Sequence, residues 1–536
     1  MYRQIIDPLG SLPLSALVAA IPLAILLLLL GIFRLKSHWA ALAGLAAALV
    51  VAVVCYRMPV VPAIAAAGEG LAFGLFPIVW IILNAVWINK LQQESGHFAI
   101  VGRAFARISA DFRIQAILIA YTFGALIESL SGFGTPVAVT SIMLIALGFT
   151  PMKAAVVALF ANAAPAAYGS VGNPITALAK VTSLPVHDVG AMVGRQSPWV
   201  AFLVPFVLLV MVDGKRGLRE VWPAALAAGT GFAVGQFLCS NFFTYALTDL
   251  IAAVLSALCV IVVLRLWSPR RPLAIDGASC AEAPLEKDAF PDVLRAFSPY
   301  ALLTVLFALV ELPGPVHRWA KDLGTSFAWP GLHIVDSRGA VVGATRFDFG
   351  WMTAPGTMLL LTGLLTMAIL RVGPRRAVRC YGRTLVQIRW AAVTISCVLA
   401  LGYLMNLSGM ATTLGYLLAA TGAAFALLSA PLGYVGVAVT GSDTGANSLF
   451  GALQYAAGVR TGISPMLLAA ANSTGGVLGK VIAPQNLAIA ATAVGLPGRE
   501  GDLLRKVALW SLILLALLSL LVVAQSTVLG WMVVGG

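Results

Sequence analysis

Long apolar runs separated by short polar linkers occupy most of this 536-residue chain. A helix needs roughly 20 apolar residues to cross the hydrocarbon core of a bilayer. Six runs approach or exceed that length, at residues 12–33, 39–56, 71–89, 221–239, 245–266 and 507–534. The pattern predicts an all-α polytopic membrane protein with about 12 spans.

Composition and charge support a chain that folds in the bilayer. Hydrophobic residues make up 60% of the chain and charged residues only 10%, a balance that a water-soluble protein of this size could not carry. The net charge of +13 comes largely from Lys and Arg in the short linkers, as the positive-inside rule requires. We therefore expect the whole chain, 1–536, to form a single domain in the cytoplasmic membrane, and the charge does not indicate a nucleic-acid partner.

Neither a cofactor nor a metal site is predicted. The six cysteines form no Cys-x-x-Cys pair, and most lie in apolar runs, where a free thiol behaves as a small hydrophobic group. The five histidines fall in predicted loops. Two longer polar interruptions are interpreted as a cytoplasmic linker at 267–297 and an external loop at 312–350.

The two halves of the chain carry similar motifs in the same order. The first half contains Ser131-Gly-Phe-Gly134, then Asn162, Gly169 and Pro174. The second half contains Ser442-Asp-Thr-Gly445, then Asn472, Gly479 and Pro484. The interval from the Ser-x-x-Gly motif to the Asn is 31 residues in the first half and 30 in the second. This spacing predicts an internal duplication with repeat cores at 71–181 and 390–495.

Charge indicates that the two repeats are inverted. The predicted interfacial segment 97–109 carries Arg103 and Arg107, whereas its counterpart 410–422 carries no charge. If the first lies on the cytoplasmic surface and the second on the outer surface, the positive-inside rule explains this difference. The alternative is that residues 410–429 form another membrane span.

Each repeat also contains stretches that interrupt helices between apolar flanks. Residues 128–136 and 441–447 combine glycines with polar side chains, and we interpret them as the tips of two re-entrant hairpins. Residues 162–174 and 472–485 indicate two broken helices. Irregular backbone at membrane depth is tolerated only where it is buried in protein or lines a cavity, and exposed helix N-termini would suit a carboxylate. Helix contacts made by small residues are the alternative for both kinds of segment.

Ionisable residues within the interrupted segments are candidates for function. Glu128, Asp443 and Lys480 lie there, and charged groups inside a membrane are costly and usually functional. We expect Lys480 to sit beside Asp443 or beside a bound anion. A purely structural ion pair among the three residues is the alternative.

Three strings resemble the bacterial L-lactate permease family: Ser129-Leu-Ser-Gly-Phe-Gly-Thr-Pro-Val-Ala138, Gly441-Ser-Asp-Thr-Gly-Ala-Asn447 and Ala471-Asn-Ser-Thr-Gly-Gly-Val-Leu-Gly-Lys480. The resemblance implies proton-coupled uptake of L-lactate, and often of D-lactate and glycolate, across the bacterial cytoplasmic membrane. The hairpins and broken helices are also similar to those of elevator-type carboxylate carriers of the ion-transporter superfamily. At the first tip the chain has Leu130-Ser-Gly-Phe-Gly-Thr-Pro136, a more polar sequence than the better known members carry, which leaves the preferred 2-hydroxy acid open.

On this interpretation the polar residues of the tips and breaks surround the substrate. The predicted substrate-binding residues are Ser131, Gly132, Gly134, Thr135, Asn162, Tyr168, Ser442, Thr444, Asn447, Asn472, Ser473 and Lys480. Either Glu128 or Asp443 is expected to carry the coupled proton. The expected partners are a small monocarboxylate, a proton and the lipid bilayer, and a homodimer is left open.

Other classes of membrane protein fit the sequence less well. The segment around Lys480 lacks the spacing of a phosphate-binding P-loop, and no cluster of His, Cys and carboxylates indicates an enzyme. An anion channel or exchanger for small carboxylates remains the alternative, because half-helices also build selectivity filters.

Overall fold

The computed structural model describes residues 2–33, 35–109, 111–131, 134–269, 288–311, 314–335 and 345–535. The helices of the first half are α1 (Leu12–Gly31), α2 (Ser37–Val54), α3 (Val60–Phe73), α4 (Trp80–Glu94), α5 (His97–Ala106), α6 (Phe112–Gln115), α7 (Gly124–Ser131), α8 (Thr135–Ala146), α9 (Pro151–Ala161), α10 (Gly169–Thr182), α11 (Val186–Val193), α12 (Ser197–Phe242) and α13 (Thr248–Leu266). Wider helical turns, Gly74–Val79 and Ala116–Phe123, join α3 to α4 and α6 to α7.

The second half contains ten more helices and most of the strand residues. The helices are α14 (Phe290–Glu311), α15 (Pro315–Asp322), α16 (Pro355–Ile369), α17 (Pro374–Ser408), α18 (Met410–Leu418), α19 (Phe425–Thr440), α20 (Asp443–Thr461), α21 (Pro465–Ile482), α22 (Pro484–Ala493) and α23 (Glu500–Gln525). The strands are β1 (Tyr2–Arg3), β2 (Thr325–Ala328), β3 (Ile334–Val335) and β4 (Arg346–Phe349). β1 pairs in parallel with β3, and β2 pairs antiparallel with β4.

The number of membrane-spanning helices agrees with the prediction. Within the described ranges, 10 helical stretches are long and apolar enough to cross a membrane, or up to 12 if each of two bent pairs counts as one span. In addition, α12 folds back on itself at Asp213 and Gly214. A Cβ at Gly229 would lie 2.5 Å from the carbonyl oxygen of Phe202, so its two arms run side by side.

Both repeats contain the predicted short helix, hairpin and broken helix. The short helices α5 and α18 have 10 and 9 residues, too few to cross a bilayer. Each begins directly after a glycine with positive φ, Gly96 at 77° and Gly409 at 97°. Hairpin 1 consists of α7 and α8, and hairpin 2 consists of α19 and α20. The bent pairs are α9 with α10, at 61°, and α21 with α22, at 41°.

Helix α17 places the two short helices at opposite ends of the molecule. At its start Arg376 pairs with Glu94, at 3.2 Å between Nε and Oε2, and Glu94 ends the helix that precedes α5. Its last residue, Ser408, is separated from α18 by one glycine. A 35-residue helix is about 50 Å long, so α5 and α18 lie on opposite sides of the bilayer, as an inverted repeat requires.

Charge and strand pairing distinguish the two ends. Near α5, Arg103 pairs with Asp288, at 2.5 Å between Nη2 and Oδ1, and this bond lowers the pKa of Asp288. The end with these basic residues is the cytoplasmic one by the positive-inside rule. All four strands belong to the N-terminus or to the predicted external loop, which also contains α15. Of the predicted linker 267–297, residues 270–287 lie outside the described ranges, and α14 begins at Phe290.

Candidate functional site

A small polar cavity lies where hairpin 2 meets the first broken helix. Its volume is about 40 Å³. The residues that line it are Glu128, Ala166, Gly169, Ser170, Asn173, Pro174, Gly441, Ser442, Asp443, Thr444 and Lys480. They come from α7, from the break and start of α10, from hairpin 2 and from α21, so both repeats build the cavity.

An ion pair between the repeats forms one wall of this central cavity. The Nζ atom of Lys480 lies 2.5 Å from Oε1 of Glu128, and the two side chains are 10% and 2% exposed. The other carboxylate oxygen of Glu128 accepts a hydrogen bond of 3.0 Å from Nδ2 of Asn162. Gly169 lies against the same carboxylate, where a Cβ would be 2.6 Å from Oε1. Glu128 is therefore held by a cation, an amide and the close approach of a glycine.

Asp443 is a second buried carboxyl group in the cavity wall, and it is only partly hydrogen-bonded. It lies in the first turn of α20, where Ser442 caps the helix by accepting a hydrogen bond from the backbone N–H of Gly445. Its Oδ2 accepts a 2.9 Å hydrogen bond from the hydroxyl of Ser473. Its Oδ1 is buried and has no hydrogen-bond partner among the described residues. An unsatisfied oxygen at this depth is costly, which makes Asp443 a group that can respond to a ligand or a proton.

A chain of amides fixes the side chains behind Asp443. Asn447 donates to the hydroxyl of Ser473 at 3.0 Å, and Asn472 donates to the amide oxygen of Asn447 at 2.9 Å. Gln454 in turn donates to Asn472 at 3.3 Å. These residues are buried, and buried polar networks whose members are satisfied hold their side chains in fixed positions. The network supports the cavity but does not line it.

The first broken helix supplies irregular backbone to the cavity. α9 ends at Asn162, and the chain resumes in α10 through Ser170, Val171 and Gly172, whose φ values are 49°, 58° and 72°. A left-handed conformation is uncommon for residues with a Cβ, and a genuine outlier for a β-branched one such as Val171. Strain of this kind is concentrated at functional sites. Asn173 comes directly after this left-handed turn, and within the described part of the chain its buried Oδ1 atom has no hydrogen-bond partner.

The second break lies at the C-terminal end of the predicted segment 472–485. α21 continues without interruption through Asn472 and Lys480, and the bend occurs at Ala483. The polar run after Asn472 is helical because its glycines pack against α19. A Cβ at Gly475 would collide with the carbonyl oxygen of Ala430, and one at Gly479 with that of Tyr434. For this run the alternative interpretation, a helix contact made by small residues, is correct.

The predicted residues of hairpin 1 lie away from the cavity. Gly134 has a φ of 76° and packs on α22, where a Cβ would be 2.5 Å from Cδ1 of Ile489, and Thr135 next to it does not line the cavity. The side chain of Ser131 and the whole of Gly132 are outside the described part of the chain. Tyr168 also points elsewhere, since its hydroxyl donates to the carbonyl oxygen of Gly190 at 2.7 Å.

Five of the predicted residues line the cavity together with unpredicted ones. They are Glu128, Ser442, Asp443, Thr444 and Lys480, whereas Asn162, Asn447, Asn472 and Ser473 support them. Lys480 pairs with Glu128, and not with Asp443 as expected. The sequence reasoning missed Gly169, Ser170 and Asn173, although the Gly-Ser-Val-Gly-Asn-Pro run had indicated an interruption there.

Two larger cavities lie at the two ends of the molecule. The inner cavity, of about 650 Å³, includes Lys36, His38 and Trp390 and shares Gly441 and Ser442 with the central cavity. The outer cavity, of about 590 Å³, includes Lys180, His187 and Asp348 and shares no lining residue with the central one. The tip of hairpin 2 therefore connects the central cavity to the cytoplasmic side.

Sequence comparisons match this chain to lactate and glycolate permeases over nearly its whole length. A family model described as L-lactate permease matches residues 15–529. The L-lactate permease of Escherichia coli (strain K12) is 39% identical over 549 residues, which cover 99% of this chain and 100% of the relative. The glycolate permease GlcA of the same strain is 39% identical over 559 residues, with 99% of each chain covered. Among solved structures, the YdaH transporter of Alcanivorax borkumensis matches with 18% identity, a TM-score of 0.45 and 87% of each chain covered.

Proposed function

The chain belongs to the L-lactate permease family, and on that premise we propose that it carries L-lactate and related 2-hydroxy monocarboxylates, D-lactate and glycolate among them, into the cell together with protons. It is a multi-pass transporter of the bacterial inner membrane. The relatives named for lactate and for glycolate match it equally well, at 39% identity each. A short 2-hydroxy acid is the substrate class that both names share.

The Lys480–Glu128 ion pair is the observation that carries the proposal. A buried ammonium needs an anionic partner, and Glu128 supplies it at 2.5 Å. A substrate carboxylate can take that place only if Glu128 is neutralised. Protonation of Glu128 therefore frees Lys480 for the anion, and the proton and the anion are bound together with no change in net charge.

The remaining wall of the cavity supplies partners for the rest of a 2-hydroxy acid. The hydroxyls of Ser442 and Thr444 and the free amide oxygen of Asn173 lie around it. A hydroxyl group on the substrate can donate to Asn173, or to the free Oδ1 of Asp443, and so satisfy an atom that is otherwise unpaired. A plain monocarboxylate without the hydroxyl would leave that atom unsatisfied and should bind less well.

Release follows from the connection with the inner cavity. Gly441 and Ser442 border both cavities, so a small displacement of the tip of hairpin 2 would open the central cavity to the cytoplasm. Hairpin 2 is thus the inner gate in this proposal. A homodimer remains a prediction from the sequence.

Accumulation and counterflow of labelled lactate in proteoliposomes test the proposal. A gradient that is alkaline inside should drive lactate above its external concentration, and de-energised vesicles preloaded with lactate should show counterflow. A channel would show neither pH-driven accumulation without a membrane potential nor counterflow. An obligate exchanger would show counterflow but no accumulation into vesicles that contain no substrate.

A further inference from the structure

The outer cavity lies at the end of the molecule where the strands gather. Its walls come from the turn before α4, from the end of α10, from α11 and from β4 with the residues after it. The cytoplasmic residues Arg103 and Arg376 are at the opposite end, so this cavity opens on the outer side. Its volume of about 590 Å³ exceeds that of the central cavity, which is about 40 Å³.

One polar face of α10 runs from the central cavity to the outer one. Asn173, Thr176, Lys180 and Ser183 follow one another at intervals of three or four residues, which places their side chains on one side of a helix. Asn173 lines the central cavity, and the other three line the outer cavity. Seven residues of helix separate Asn173 from Lys180, a distance of about 10 Å. A small anion at Lys180 is therefore about two helical turns from the central cavity.

Lys180 provides the positive charge in the outer cavity. Its Nζ donates to the carbonyl oxygen of Arg346 at 2.7 Å and lies 3.5 Å from Oδ2 of Asp348. The side chain of Asp348 is 70% exposed, whereas that of Lys180 is only 16% exposed. A long contact to an exposed carboxylate contributes little stability. A free carboxylate of similar size can therefore displace Asp348 from Lys180.

We propose that the outer cavity is a docking site for a small monocarboxylate anion, in which Lys180 binds the carboxylate and Asp348 competes with it. The inference rests on the proposed function for the identity of the anion. A recessed positive charge with low-dielectric walls concentrates anions and raises their rate of encounter. The site selects for negative charge before the substrate reaches the central cavity.

Protection of a cysteine in the cavity tests this site separately from transport. Ser183 is exposed and lines the cavity, so Ser183→Cys should react with an impermeant maleimide from outside, in a background whose native cysteines are replaced by Ala. Lactate should slow this reaction, and its amide, lactamide, should not. Thr421→Cys, exposed at the outer end but outside the cavity, is the control that lactate should leave unchanged.

Second-site variants assign the protection to Lys180. Lys180→Gln should weaken protection by lactate by about fivefold or more, which corresponds to the loss of one charge-assisted hydrogen bond. Asp348→Asn should strengthen it, because the competitor has lost its charge. Lys321→Gln, which removes an exposed lysine of the same outer region, should have no effect.

The Lys480→Met variant separates this proposal from the function of the central site. Protection of Ser183→Cys should persist in Lys480→Met, because docking does not need the central site. If protection disappears there, it reports a movement caused by binding at the central site, and the docking proposal is wrong. Protection that is unaffected by Lys180→Gln would also overturn it. Failure of the parent chain to accumulate lactate, with protection intact, would count against the proposed function alone.

Discussion

The two broken helices occupy equivalent places in the two repeats, yet they contribute different things to the site. The first departs from regular α-helix between Asn162 and Gly172 and bends by 61°. The second is interrupted only at Ala483, with a bend of 41°. The first broken helix contributes irregular backbone, the amide oxygen of Asn173, which has no partner among the described residues, and Gly169, which leaves room for the carboxylate of Glu128. The second offers the ammonium of Lys480 from the last turn of a regular helix. Of the two broken helices, the first therefore shapes the cavity and the second supplies a cation to it.

The two hairpins also contribute differently to the site. The tip of hairpin 2 lines the central and inner cavities, whereas Gly134 at the tip of hairpin 1 packs against α22. Hairpin 1 contributes from its arm instead, through Glu128. The motif that repeats in the sequence therefore does not make the same contacts in the two hairpins. The following variants test this division of roles.

Removing the charge of the second half should have the largest effect. Lys480→Met should weaken lactate binding by about 100-fold, because loss of one partner of a buried ion pair costs about 3 kcal/mol or more, and Lys480→Arg should keep part of the affinity. Binding to detergent-purified protein is the measurement. Lys153→Met is the matched control, since the ammonium of Lys153 bonds only the carbonyl oxygen of Val212 among the bonds described. Unchanged lactate affinity in a stably inserted Lys480→Met variant would show that the charge of Lys480 does not take part in substrate binding.

The next largest effect concerns the proton. Glu128→Gln should lose accumulation driven by a pH gradient and keep counterflow, because the neutral amide imitates the protonated acid. Asp443→Asn should keep both activities, since Asp443 has no cation within bonding distance among the described residues. The opposite result would assign the proton to the second half, and full accumulation in both variants would place it elsewhere. The double variant Glu128→Gln/Lys480→Met, compared in its unfolding midpoint, separates loss of coupling from loss of folding.

The smallest effect distinguishes the two tips. Gly441 and Gly134 have φ values of 73° and 76°, so alanine at either position costs about 1–2 kcal/mol of backbone strain. Gly441→Ala should raise the KM for lactate by about tenfold, because Gly441 lines the cavity. Gly134→Ala should lower the maximal rate and leave the KM unchanged. Equal changes in KM for both variants would show that hairpin 1 also contacts the substrate.

Much of the architecture could be predicted from the sequence because membranes impose simple rules. The lengths of the apolar runs predicted the membrane-spanning helices. The basic residues of α5, compared with the uncharged α18, predicted that the two repeats are inverted. The site was harder to predict. Whether a Gly-rich run such as Gly475–Gly479 bends or packs depends on whether another helix, here α19, approaches its glycines, and a sequence does not show this. Likewise, which carboxylate pairs with Lys480 depends on how the repeats meet, so the sequence led to Asp443 where the structure has Glu128.

The ion pair also determines when the site can form during synthesis. Lys480 and Glu128 are 352 residues apart in the chain, so α7 enters the membrane long before its cation exists. Until then, among the described residues of its own half, Glu128 has Asn162 as its one side-chain hydrogen-bond partner, and an ionised carboxylate in that environment is unfavourable. The left-handed turn at Ser170–Gly172 must wait as well, because such strain persists only when neighbouring structure holds it in place. The first half of the protein therefore enters the membrane before its part of the site is complete. Its final geometry forms only when α21, from near the C-terminus, packs against it.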